Sequence, residues 1–109
     1  MSFRKLHLAR ALRRHLRPIA QTREDFDLVC EIGYYQEKGT PLTMMRLQRL
    51  DIASYATLLR RMRRLRRIGA IVAKKAPADG RMTEFLLPEH VIGVFHRYAE
   101  LLARTYGSS

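Results

Sequence analysis

The sequence predicts a mainly α chain carrying one small β-hairpin, and three observations predict it. Five segments repeat apolar residues at three- and four-residue steps, the spacing that puts side chains on one face of a helix. Only one place, between Ala70 and Leu87, reads as two short strands around a turn cluster. Six of the eight residues from Arg60 to Arg67 are arginine, inside a segment whose Leu58, Met62 and Leu65 still mark one apolar stripe.

With 109 residues and 47% apolar content the chain can bury the core of one domain without metal or disulfide support. Lys and Arg number 21 against 10 Asp and Glu, so the formal net charge is +11 and the partner is expected to be a polyanion. The single Cys30 excludes an intramolecular disulfide and is read as a core thiol. No run approaches the ~18 apolar residues of a membrane span, and the first residues lack the apolar region of a signal peptide. The expected compartment is the cytoplasm, in association with the nucleoid, and no membrane partner is expected.

Residues 1–20 form a basic N-terminal helix. Phe3, Leu6, Leu8, Leu12, Leu16 and Ile19 lie at broadly helical spacing among Arg4, Lys5, Arg10, Arg13, Arg14 and Arg17, and Pro18 ends or kinks the helix. Thr22 opens the next helix with Asp25 three residues on, a capping-box arrangement, and Lys38–Gly39 stops it. That helix carries Glu24, Asp25, Asp27, Glu31 and Glu37, and this segregation of acids predicts that it faces away from phosphate.

Thr43 caps a short helix, Met44 to Leu50, with Leu47 and Leu50 inward. Asp51–Ile52–Ala53 turns into a helix from Ser54 to Gly69, giving a helix-turn-helix with the arginine helix second, as the recognition helix. With the leucine stripe buried, Thr57, Arg60, Arg64 and Arg67 are expected to point most directly outward, flanked by Arg61 and Arg63. Segment 54–76 contains no acid, whereas ordinary solvated helices mix both signs.

Ala70 to Ala73 is strand-like and ends in Lys74–Lys75. Ala76–Pro77–Ala78–Asp79–Gly80 carries an Asp-Gly turn signal, and Met82 to Leu87 returns. Such a hairpin, with Arg81 beside its tip, is a wing, which makes the fold class a winged helix-turn-helix. Pro88 and Glu89 open a last helix, 88–106, with Val91, Phe95, Tyr98 and Leu102 on one face; residues 107–109 are a frayed tail. This helix either packs on the N-terminal helix or builds a two-fold dimer with it, and the dimer is favoured because a symmetric reader of half-sites needs one. The domain division is therefore a basic helix (1–20), a winged helix-turn-helix (21–87) and a packing or dimerisation helix (88–106).

From Pro41-Leu-Thr through Ser54-x-x-Thr-Leu-x-Arg and Leu65-x-x-x-Gly69-x-Ile71 to Asp79-x-Arg81 and Leu87, the chain resembles the winged helix-turn-helix of the MarR (multiple antibiotic resistance regulator) family of bacterial transcription factors. The resemblance covers about residues 22–106. It implies a homodimer with recognition helices in successive major grooves and wings over the adjacent minor grooves. It also maps recognition contacts onto Ser54, Thr57, Arg60 and Arg61, and a wing pair onto Asp79 and Arg81, the Arg reaching DNA and the Asp holding it. Family members usually carry a second C-terminal dimerisation helix, for which this chain has one. They often bind lipophilic effectors, and Tyr34, Tyr35, Phe95 and Tyr98 are the residues here that could line such a pocket, although core packing is the favoured reading of those rings.

The expected function is therefore a transcriptional regulator of double-stranded DNA. Arg60, Arg61 or Arg64 would read guanine edges, while Arg63, Arg66, Arg67, Lys74 and Lys75 hold phosphates. No cofactor, metal or catalytic constellation is expected: His7, His15, His90 and His96 lack ligand spacing, and no Gly-rich phosphate loop is present. The alternatives are a nucleoid-type or RNA-binding protein without sequence preference, and a winged-helix protein–protein module in a larger phage or plasmid machine.

Overall fold

Three hydroxyl side chains start three helices. Thr22, Thr43 and Ser54 stand in extended backbone, and each accepts a hydrogen bond from the backbone N–H three residues on, opening α2 (Arg23–Glu37), α3 (Met44–Arg49) and α4 (Tyr55–Arg67) in a computed structural model that describes residues 2–107. At Thr22 the capping box is complete, with the Asp25 carboxylate accepting from the Thr22 backbone N–H. Gly39 at φ 81° and Gly69 at φ 76° end α2 and α4 in the left-handed conformation that glycine adopts without Cβ strain. The turn between α3 and α4 also needs a left-handed residue. Asp51 supplies it at φ 55°, so the glycine missing from this turn is replaced by a short polar residue that tolerates the conformation.

α1 (Phe3–Arg13) ends sooner than its periodicity suggests. The chain tightens into a 3-10 turn, Arg14–Leu16, before Pro18: proline has no N–H to offer the Arg14 carbonyl four residues back, and that carbonyl accepts instead from the Arg17 N–H at 3.2 Å. The two-stranded antiparallel sheet pairs β1 (Val72–Lys75) with β2 (Thr83–Leu86), Ala73 opposite Phe85 and Lys74 opposite Glu84. Asp79–Gly80 does not make a two-residue turn. Pro77 cannot donate to a ladder, so the strands separate after the Ala76 N–H to Met82 carbonyl bond of 2.8 Å, and a longer loop closes through the Met82 N–H to Asp79 carbonyl bond of 3.0 Å. Pro41–Leu42–Thr43 adds a third extended piece. The Leu42 carbonyl accepts from the Phe85 N–H at 2.9 Å, and Thr43 bridges Glu84, which stitches the wing to the segment before α3.

The core is one cluster: Leu28, Val29 and Ile32 of α2, Leu42 and Leu47, Leu58, Met62 and Leu65 of α4, Ala70, Ile71, Phe85 and Leu87 around the hairpin, and Val91. Three buried side chains at about 2 kcal/mol each hold α4 against the body, and the apolar stripe named from spacing is the stripe that is buried. α5 (Glu89–Gly107) fully buries only Val91; Ile92 and Phe95 are partly buried against the core, and α1 packs along the helix in the same chain. Gly107 continues this helix, while Ser108 and Ser109 of the expected tail lie outside the described residues, as does Met1. The α1/α5 pair makes the molecule elongated, 49 × 27 × 24 Å, and leaves Phe3, Leu6, Leu8, Val94 and Tyr106 exposed. Cys30 is corrected from core to surface, since the stripe that α2 buries is Asp25, Leu28, Val29 and Ile32, one step round the helix. Its thiol is nonetheless pushed up to about 11 by partial desolvation and by Asp27 and Glu31, which keeps it protonated.

Candidate nucleic-acid interface

The exposed side of α4 divides its arginines. Arg60, Arg63, Arg66 and Arg67 are exposed and make no ion pair among the described residues, whereas Arg61 and Arg64 turn inward. Arg61 donates through Nε to Asp25 Oδ1 at 2.7 Å and through Nη2 to Asp25 Oδ2 at 2.5 Å. Arg64 Nη1 donates to the same Oδ2 at 2.9 Å and to the Ile19 carbonyl at 2.8 Å. Asp25 is fully buried, and the two arginine side chains keep only 16% and 11% of their exposure.

This corrects three expectations. Arg64 does not point outward, Arg61 does not flank an outward face, and α2 does not turn all its acids away from the arginine helix. The physical reason is that a carboxylate placed at the third position of α2 for capping also lies where α4 crosses it, and a buried anion requires counter-charge. Burial alone would raise the Asp25 carboxyl, but hydrogen bonds from Arg61 and from the Gln21 backbone, with the charges of Arg61 and Arg64, hold it below the ordinary value. The bond to Asp25 in turn raises Arg61 further above neutrality.

At the start of α4 the Ser54 hydroxyl accepts from the Thr57 N–H at 3.3 Å and donates to the Thr57 hydroxyl at 3.1 Å, so both side chains are ordered at the exposed first turn. On the wing, Lys74 and Lys75 are exposed on β1, and Lys74 faces Glu84 across the ladder without closing an ion pair. Asp79 Oδ1 accepts from the Arg81 N–H at 3.0 Å and from its Nε at 3.4 Å, with the Arg81 side chain 92% exposed. The pairing of Asp79 with Arg81 is thus present, and the guanidinium is tethered through Nε while the side chain stays exposed at the hairpin tip.

Two further side chains fix the frame around these cations, and spacing alone gives no sign of them. Arg46 donates to the Thr40 carbonyl and lies 5.3 Å from the centre of the Tyr35 ring, tying α3 to the end of α2. Gln36 grips Leu87 at both ends of its amide, accepting from the Leu87 N–H at 2.7 Å and donating to the Leu87 carbonyl at 3.3 Å.

Of the four rings named as a possible lining, Tyr34 and Phe95 border a hollow of about 490 Å³ between α2 and α5, together with Cys30, Leu87 and His96. Tyr35 packs edge-on against Tyr34, and Tyr98 packs edge-on against Phe26, outside that lining. Among the described residues no three His, Cys, Asp or Glu side chains come together as metal ligands, and no helix is long and apolar enough to cross a membrane.

No family model and no curated protein matches the chain. Among solved structures it is similar to the crystal structure of MarR, with a TM-score of 0.56 and 19% identity over 92% of this chain and 76% of that one. At this identity the likeness speaks to architecture, and the architecture agrees with the helix order and hairpin described above: the chain has a winged-helix fold of the MarR kind.

Proposed function

We propose that the chain is a double-stranded DNA-binding transcriptional regulator that acts as a homodimer. The observation that carries this is the one-sided cation surface of α4: four guanidiniums without a carboxylate partner among the described residues, on a helix whose opposite side is locked in the core, beside a hairpin presenting Lys74, Lys75 and Arg81. Ser54, Thr57, Arg60 and Arg63 then face the major groove, and Arg66, Arg67, the two lysines and Arg81 hold phosphates or the minor groove edge. Arg61 and Arg64 serve as supports that set the angle of the helix and do not themselves touch the duplex.

Residues 21–87 act as the reader, and 1–20 with 88–106 as the assembly module. The exposed apolar residues of the α1/α5 pair are the surface on which a second copy would pack. Selection of bound fragments from a random duplex library tests the reading. A two-fold symmetric consensus supports dimeric regulation; enrichment of no sequence above background assigns the chain to indiscriminate binding instead.

A further inference from the structure

We propose that the hollow between the end of α1, the 3-10 turn and the first turn of α2 binds a compact oligophosphate, with inorganic diphosphate as the minimal ligand. Arg10, Arg13, Arg14, Arg17 and Arg23 all border this one concavity of about 230 Å³, and among the described residues no carboxylate does. Arg10, Arg14 and Arg17 have no ion-pair partner among the described residues, and Arg23 has only the exposed Asp27 at 3.9 Å. Arg13 is held over the Phe26 ring at 4.7 Å, which fixes one guanidinium at the rim.

Arginines at positions 10, 13, 14 and 17 recur at helical spacing, so their charges repel along one face, and an anion bound between them relieves that repulsion. Guanidinium is suited to this because its planar fork meets phosphate oxygens two at a time. Size selects the ligand. Pockets for drug-sized molecules run from ~300 to ~1,000 Å³, so a smaller hollow lined by cations fits one or two phosphate groups and not a whole lipophilic effector.

The hollow is bordered by Ala20, Gln21 and Thr22. The Gln21 and Thr22 N–H groups donate to Asp25 Oδ2, and the Ile19 carbonyl beside them accepts from Arg64. A bound anion therefore orders the segment on which α4 is braced. The inference stands independently of DNA binding.

Titration calorimetry of the full chain with inorganic diphosphate at physiological ionic strength tests it. One-to-one binding is expected, weakened about tenfold or more in Arg14→Ala/Arg17→Ala, which removes two charge-assisted contacts, and unchanged in Lys74→Ala/Lys75→Ala. Sulfate at equal ionic strength is expected to bind more weakly, and circular dichroism checks that each variant is folded. Should the alanine pair not fold, Arg10→Gln/Arg17→Gln carries the same comparison. Absence of heat beyond dilution overturns the proposal, as does binding that falls equally in the lysine variant. A third overturning result is silence toward diphosphate together with a loss of duplex affinity in Arg14→Ala/Arg17→Ala, which would give these arginines to the DNA backbone.

Discussion

Replacing Asp25 by Asn isolates the role of the buried anion. The carboxylate accepts five hydrogen bonds, two from Arg61, one from Arg64 and two from the backbone of Gln21 and Thr22. The amide keeps the volume and one acceptor oxygen but removes the charge that two nearly enclosed guanidiniums face. Removing one partner of a buried ion pair costs about 3–5 kcal/mol, and the residual solvent access of both arginines puts the expected loss near the lower end, about 3 kcal/mol. With a urea slope of about 1.5 kcal/mol/M, that is a midpoint lower by about 2 M.

The pH dependence has a definite sign. The folded-state pKa of Asp25 lies below its unfolded value of 3.8, so its stabilisation is complete above that value and is lost as pH falls through the lower, folded-state one. Urea titrations are therefore expected to show the wild type losing its advantage over Asp25→Asn on acidification below about pH 4. A double-mutant cycle with Arg61→Met should give coupling between the two positions. A midpoint shift under ~0.3 M at neutral pH, or strict additivity in the cycle, would refute the claim that this pair braces α4.

On the interface, Lys74→Ala/Lys75→Ala is expected to reduce the slope of log affinity against log salt by about 0.9 for each phosphate that is no longer neutralised, read by fluorescence anisotropy across a salt series. Competition between cognate and scrambled duplexes separates the roles of two cations: Arg60→Ala should erode discrimination by about 1–3 kcal/mol, while Lys75→Ala weakens both duplexes alike. Gly69→Ala forces a side chain into positive φ with open space around the new Cβ, so backbone strain alone should cost about 1 kcal/mol in a urea melt. Gly80→Ala, equally uncrowded and without positive φ, should stay within about 0.5 kcal/mol of wild type.

The stripes, caps and stops of α2, α3 and α4 are legible in the sequence because local chemistry dictates them. Thr22 with Asp25 is a local pattern, and so are Leu58, Met62 and Leu65 at helical steps. The fate of Arg61 and Arg64 is not legible there, because periodicity ranks directions around a helix axis but does not say which neighbour crosses it. A long guanidinium can swing from the edge of the apolar stripe to a buried acid 36 or 39 residues away in sequence. Cys30 misleads for a related reason: α2 is packed on one side by α4 and only partly covered by α5, so an apolar residue beside the stripe is left at the surface. At the hairpin tip, Asp79–Gly80 signals the turn, but Pro77 decides where the ladder ends.

The double hydrogen bond between Gln36 and Leu87 has a mechanical consequence. A side-chain amide here imitates one rung of a strand ladder and joins the last turn of α2 to Leu87, where β2 runs into α5. Tilting α5 about its first turn therefore either breaks both bonds or pulls on the end of α2. Load borne by the last helix is thus shared with α2 through this amide clamp before it can travel along the backbone into the hairpin, as a keyed shaft passes torque to its hub.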